Sequence, residues 1–383
     1  MKNLRAPILA AAALLAALTF TACNKSGAPT AETIKIGEFA SLTGQDATFG
    51  ISSHQGTLLA IEEANAAGGV LGKKLELITE DNQCKPGESA TVVNKLIARD
   101  NVIAVLGEVA STRSMEAAKI CQDSKIPMIS PSSTNPDVTK TGDEIFRVCF
   151  IDPFQGTVMA NFATKTLKAK RVAVFTDVKS DYSKGLAKFF KEQFKANGGE
   201  IVIELDYNGN DKDFKAQLTA IKAANPDGVF VPGYYTGAAL ICVQAKQLGL
   251  TVPFFGGDGW ESSKLTEIGG DAVEGNYFST HYSPAVSTDI SKKFVENYTK
   301  RWPGQTADAL AACGYDSALV LIDALKRAGS TDSQKLRDAI AATKDFQAVT
   351  GKITLNENRD ATKSAVILQV KGGKFAYLET VQP

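Results

Sequence analysis

Three side-chain hydroxyls, Ser132, Ser133 and Thr134, stand between Pro131 and Pro136, directly after an apolar run at 126–129. Each proline fixes its own φ and disfavours helix at the residue before it, so the backbone between them is restrained. A restrained loop of hydroxyls and free backbone N–H groups suits a small anion such as a carboxylate. The same composition also makes an ordinary turn, and only what stands opposite can give it a role. Asp177 with Tyr182, Tyr234 with Tyr235, and Asp258 with Trp260 in a glycine-rich turn supply carboxylates and aromatic faces later in the chain. An α-amino acid zwitterion matches that asymmetry: its carboxylate would face the hydroxyls, and its ammonium group an Asp and the rings.

For these groups to meet, the chain must bring strand ends together. Residues 34–40 alternate as a strand and run into a small-residue loop at 41–44. A helical pattern through Leu58, Leu59, Ile61 and Ala64 stops at Gly68 and Gly69, and strand 75–79, helix 88–98 and strand 102–106 follow. This order predicts βαβ units with right-handed crossovers and a mostly parallel sheet. Part of the pattern returns at an offset of roughly 130 residues, with strand 201–205, helix 214–223 and a further strand from Gly228 to a glycine at 233. Two similar α/β lobes are therefore expected. Open parallel sheets bind ligands outside the C-terminal ends of their strands, which is where Ser111, the 130–134 loop and the Asp258 turn all fall.

A chain of 383 residues exceeds what one core usually holds, so two domains are the default. Lys plus Arg equals Asp plus Glu at 42 each and no basic run stands out, which argues against a nucleic-acid partner. Lys2 and Arg5 precede an apolar stretch at 8–20, the pattern of a signal peptide over 1–22. The run 18–23 resembles a bacterial lipobox ending in Cys23, with Phe20 where the pattern prefers Leu, Val or Ile. Cys23 is the expected lipid-attachment residue and 23–33 a polar tether, making the mature protein a membrane-anchored lipoprotein in the periplasm or at the cell surface. Of the remaining cysteines, Cys242 and Cys313 lie in apolar helical patterns, so one disulfide drawn from Cys84, Cys121 and Cys149 is expected, its pairing open.

No nucleophile elbow, zinc-protease helix, Walker loop or dinucleotide fingerprint occurs, so an enzyme is not expected. With only two histidines, His54 and His281, far apart and no CxxC spacing, neither is a metal site, and no cofactor is implied. Both histidines read as surface or packing residues. Tyr277, Phe278 and Tyr282 read as packing between lobes, Trp302 as a loop anchor, Asp177 as a helix cap, and Lys184, Lys188 and Lys191 as a solvated helix face.

From about residue 34 onward the chain resembles the type I periplasmic substrate-binding proteins of the leucine/isoleucine/valine-binding group, which deliver amino acids to ABC transporters. The marks are Ile36-Gly37, Asn65-Ala66-Ala67-Gly68-Gly69, Gly107 followed by Ser111, the 130–136 loop, Gly233-Tyr234-Tyr235 and Gly256-Gly257-Asp258-Gly259. The resemblance implies an α/β fold of two Rossmann-like lobes joined by three crossover segments, near 149–153, 280–283 and 355–360. Lobe one would comprise 34–152 plus 282–356, and lobe two 153–281 plus 357–383. It further implies that Ser111, Ser132, Ser133 and Thr134 hold a carboxylate, that Asp258 and the Ser132 carbonyl hold an ammonium group, and that Phe49, Tyr182 and Tyr234 form an aromatic wall. Asp152 would sit at the first crossing. Asp258 stands where the familiar leucine binder has Glu, so aliphatic, aromatic and γ-amino ligands all stay open. The implied partner is an ABC transporter permease; the alternative is a ligand sensor acting through a separate signalling protein, since no transmembrane segment follows the lobes.

Overall fold

The computed structural model describes residues 33–383, so the signal peptide, Cys23 and most of the tether lie outside the described residues. Strand β1 (Ile34–Ala40), helix α1 (Ala47–Ala66), β2 (Leu75–Asp81), α2 (Glu88–Ala98), β3 (Val105–Leu106), α3 (Ser111–Ser124), β4 (Met128–Ser130), α4 (Asp137–Lys140) and β5 (Ile145–Arg147) build a parallel sheet of order β2-β1-β3-β4-β5. The chain then crosses to α5 (Asp152–Lys165), β6 (Arg171–Asp177), α6 (Asp181–Ala196), β7 (Glu200–Tyr207), α7 (Lys215–Ala223), β8 (Gly228–Phe230), α8 (Tyr235–Gln247), β9 (Phe254–Gly256), α9 (Ser263–Gly269) and β10 (Tyr277–Thr280). These strands repeat the order as β7-β6-β8-β9-β10. The repeat read from the sequence is thus one supersecondary pattern used twice.

Beyond β10 the chain returns to the first lobe as α10 (Asp289–Arg301), α11 (Ala309–Ala328), α12 (Ser333–Ala341) and the hairpin β11 (Phe346–Ala348) with β12 (Gly351–Ile353). Strand β13 (Ala365–Lys371) then extends the second sheet antiparallel to β10, and β14 (Lys374–Val381) pairs antiparallel to β13 at its edge. Leu355 and Ala361 still pack in the first lobe's core, so the third crossing runs through 362–364, a few residues past the implied stretch. The reason is an anchor: Asp360 pairs with Arg147 at 2.7 Å, and Arg359 donates to the Ile145 and Thr139 carbonyls.

Both sheets are covered on two faces, which is why their strands are apolar without strict alternation. In the first, Ile36, Leu106 and Leu321 pack on one side and Phe39, Val93 and Leu96 on the other. In the second, Phe190 and Phe230 face Phe162, while Phe175 packs with Phe214 and Ile241. Helix α11 is buried on nearly every side and lies directly against α1. A Cβ at Gly56 would stand 1.8 Å from the Ala311 carbonyl oxygen, and one at Gly314 would stand 2.1 Å from that of Ser53. Only glycine permits this approach.

All five described cysteines are free thiols, so the expected disulfide is not formed. Cys121 is enclosed in the core with Phe39 and Val105, Cys149 donates to the Ser133 carbonyl at 3.4 Å, and Cys84 accepts from the Asp46 N–H at 3.4 Å. Each sulfur has separate surroundings, and burial pushes the Cys149 thiol up to about 12. No helix among the described residues is long and apolar enough to cross a membrane.

Gly314→Ala is expected to force α11 off α1 and lower stability by at least about 1–3 kcal/mol, the usual range for overpacking. Urea unfolding of the variant against the parent checks this, and an unchanged midpoint would show that the helices have room to part.

Candidate functional site

The loops after β1, β3 and β4 meet at one end of the first sheet, at the point where its strand order reverses. Ser130 and Ser133 each donate to the Glu108 carbonyl at 2.8 Å, and Ser133 also lies 2.7 Å from Ser114. The Ser133 N–H donates to Ser130 Oγ at 2.9 Å. Ser133, expected among the ligand-holding residues, therefore turns its hydroxyl to the segment after β3 and to α3, joining the two loops. From behind, the buried Arg147 guanidinium donates to the Ser133 carbonyl and, at 3.1 Å, to Thr139, which itself donates to Asp360 at 2.9 Å. Sequence reading missed Arg147; one Arg in a strand of apolar residues was the available signal.

The other hydroxyls of the loop are differently placed. Ser111 opens α3 and accepts the Asn135 N–H at 3.1 Å, which leaves its own proton free to donate. Ser132 is 1% exposed and its hydroxyl has no partner among the described residues. The Thr134 hydroxyl lies near the Asp152 carboxylate, and among the described residues neither side chain makes a hydrogen bond. Asp152 is wholly buried at the start of α5, its N–H bound to the Thr134 carbonyl at 2.9 Å. Burial pushes its carboxyl well above the usual range; the Asp258 charge adds to the rise, while Thr134 and Arg147 oppose it.

Across the cleft, Asp258 opens a short 3-10 turn after β9. Gln155 Nε2 donates to one of its oxygens at 2.9 Å, and His281 Nε2 lies 3.0 Å from the other. His281, expected to be a surface or packing residue, is 2% exposed, packs its ring against Phe150 and also meets Asp258. Gln155 was also missed, although it follows Asp152 by one helical turn and so shares its face. Tyr182 stacks on Tyr234 with centroids 5.4 Å apart, and Phe49 from α1 meets Tyr234 edge-on at 5.5 Å. The Tyr182 hydroxyl accepts the Gly259 N–H at 3.1 Å; a Cβ at Gly259 would come within 2.6 Å of the Gly233 carbonyl oxygen. Glycine thus lets the Asp258 turn press against the tyrosines. Trp260 faces away into the second lobe's core, its indole N–H on the Val231 carbonyl at 2.9 Å.

The two rims are in contact. Thr112 Oγ1 bonds Asp181 Oδ2 at 3.1 Å, Asn135 donates to the Asp181 carbonyl at 2.8 Å, and Gln45 donates to the Gly209 carbonyl at 2.7 Å. Phe49, a residue of the first lobe, packs into the core of the second. Asp177 accepts the N–H groups of Lys179 and Gly209 at 3.0 Å each, while Ser180, not Asp177, caps α6. Tyr277 packs on Phe162 and Phe278 on Phe375 within the second lobe, whereas Tyr282 packs in the first.

A further contact ties the Asp258 turn to α11. Glu261 accepts the Ala309 N–H at 2.8 Å, next to Asp308, the N-cap of α11. Burial, with the Asp308 charge adding to it, raises the Glu261 carboxyl to about 8.

The family model described as periplasmic binding protein matches residues 33–374. The chain belongs to that family, whose members bind solutes, and its fold is the type I fold of two α/β lobes joined by three crossovers. A leucine-, isoleucine-, valine-, threonine- and alanine-binding protein of Pseudomonas aeruginosa is 33% identical over 331 residues, 86% of this chain and 87% of that one. The leucine-binding protein LivK of Thermotoga maritima is 43% identical with a TM-score of 0.88, covering 91% of this chain and 99% of its own. LivJ of Streptococcus pneumoniae, a branched-chain amino acid transporter substrate-binding protein crystallised with isoleucine, is 35% identical with a TM-score of 0.87, covering 92% and 100%.

Two predictions follow from the buried charges. Arg147→Met leaves Asp360 unpaired and is expected to cost about 3–5 kcal/mol, part of which Asp360→Leu in the same chain restores, as a double-mutant cycle would measure. For Glu261 the folded protein holds a proton that the unfolded chain has released once the pH passes the ordinary glutamate value of 4.5, so stability should fall as pH rises from there towards about 8. Thermal midpoints across that window check the slope; Glu261→Gln should flatten it.

Proposed function

We propose that this protein captures an amino acid, branched-chain or otherwise hydrophobic, between its lobes and delivers it to an ABC transporter permease, acting by binding alone. The observation that carries the reading is the division of polar groups across the closed cleft. Ser111 with a proton to give and the unpartnered hydroxyls of Ser132 and Thr134 stand on the first lobe, and a buried Asp258 carboxylate stands on the second. The carboxylate of the ligand goes to Ser111, Ser132 and Thr134, and its ammonium group to Asp258 and the Ser132 carbonyl. Asp152 sits beside Thr134 at the junction of the lobes, and Phe49, Tyr182 and Tyr234 line the side-chain end. Supporting the amino-acid class are the relatives whose names state leucine, isoleucine or valine. A ligand bonded to both lobes favours the closed state and releases it to hinge opening when it leaves. The protein works outside the cytoplasm, tethered through a lipidated Cys23.

Thermal-shift screening of the mature protein against all amino acids and small carboxylates is expected to raise the midpoint with hydrophobic amino acids. Asp258→Ala should then weaken the best of them by about 1.5–3 kcal/mol, roughly ten- to a hundredfold. Calorimetry reads that loss; unchanged binding by Ser111→Ala and Thr134→Ala would remove the carboxylate assignment, and a shift with sugars or amine-free acids alone would overturn the amino-acid class.

A further inference from the structure

The Asp258 carboxylate is gripped on both oxygens by residues that stand beside the crossings between the lobes. Gln155 lies in the first turn of α5, just past the first crossing, and its Nε2 is shared between Asp258 Oδ1 at 2.9 Å and Ser279 Oγ of β10 at 3.1 Å. Both of those neighbours can accept, so the amide is oriented with its N–H₂ group towards them. His281 is the first residue after β10, at the second crossing, with Nε2 3.0 Å from Asp258 Oδ2. Its ring lies on Phe150 of the first crossing, centroids 4.1 Å apart, so the imidazole cannot swing away without breaking that stack. Gln155 and His281 are 0% and 2% exposed.

With its proton on Nε2, His281 donates to Oδ2 as Gln155 does to Oδ1, the Tyr182 hydroxyl lies nearby, and the carboxylate keeps lone pairs for a further donor. An aspartate is a methylene shorter than the glutamate that the resemblance places here, and its reach depends on where its few rotamers are held. Among the described residues the side-chain hydrogen bonds of Gln155 and His281 go to Asp258 and Ser279, both of the second lobe, and none goes to the hydroxyl loop of the first.

We propose that Gln155 and His281 are positioning residues that aim the Asp258 carboxylate at the ligand's ammonium group, so that both crossing segments set how strongly the cleft prefers an amine-bearing ligand over the same acid without the amine. This rests on the amino-acid reading above. Removing either donor frees the carboxylate to rotate or to take up water, which weakens the ammonium contact and leaves the carboxylate contacts at Ser111 and Thr134 untouched.

The test uses calorimetry on the mature chain with two matched pairs, L-leucine against 4-methylpentanoate and L-phenylalanine against 3-phenylpropanoate. His281→Phe keeps the ring on Phe150 and removes the nitrogen; Gln155→Met keeps the length and removes the amide. For whichever pair binds, each variant is expected to lose about tenfold in affinity for the amino acid and to leave its desamino partner within about twofold, on the scale of one charge-assisted hydrogen bond. Ligand-free melting curves report folding, and should His281→Phe not fold, Gln155→Met gives the same readout alone. Equal weakening of both members of a pair, or no change in either, overturns the positioning role while the unsubstituted protein still discriminates. If the unsubstituted protein does not prefer the amino acid in either pair, the amino-acid reading fails, and the positioning role fails with it.

Discussion

A polar atom shut between two lobes has lost its water and must be satisfied by the protein or by what the protein binds. That constraint sorts the hydroxyls after β4 more sharply than their residue types do. Ser130 and Ser133 turn to the Glu108 carbonyl and become part of the wall, whereas Ser132 and Thr134, one residue to either side, keep hydroxyls without such a partner. The loop is thus divided residue by residue into bonded and unbonded hydroxyls, and the bonds of Ser130 and Ser133 hold the backbone on which Ser132 and Thr134 stand.

That backbone is held from the hinge. Arg147 joins the Ser133 carbonyl to Asp360, and Asp360 belongs to the segment that leads into the third crossing. A second buried pair, Lys363 with Asp316, sits where that segment meets α11. Asp316 also accepts the N–H groups of Val349 and Thr350, at 2.8 and 2.9 Å. Buried charges of this kind add little net stability when intact, but they are costly to break, and so they define one arrangement against its neighbours. On the opposite lobe Asp258 depends in the same way on Gln155 and His281. The hydroxyl loop and the Asp258 turn are therefore both tied to the connecting segments rather than to their own sheets alone, the kind of link through which a local change can bias the relation between two large bodies.

The close approaches have a related origin. Helices α1 and α11 touch through Gly56 and Gly314, and the Asp258 turn touches the tyrosine stack through Gly259. In each place a side chain is absent because backbone occupies its volume. The consequence for function is that Phe49, carried by α1, reaches across into the second lobe's core and meets Tyr234 there.

Much of this architecture was legible in the residues. Apolar runs separated by helical periodicity predicted the parallel strands, and α2 occupies 88–98 as read; the offset repeat suggested two similar α/β lobes, and the structure adds that their sheets share a strand order. These are local patterns, set by side-chain period and by turn chemistry, and one chain suffices to show them. Residue type also indicated Ser111, Thr134, Asp258 and the aromatic residues as candidates, with resemblance supplying their roles. What the residues could not show was direction. Ser132 and Ser133 are identical in type and adjacent, yet one hydroxyl faces the scaffold and the other does not; His281 packs as its type suggested, on Phe150, but also meets a carboxylate 23 positions away. Arg147 and Gln155 gained their roles only when distant segments folded onto them. The period of a strand or helix is written in neighbouring residues, but the partner of a buried polar group is chosen by the closing of long loops, and only the tertiary structure decides it.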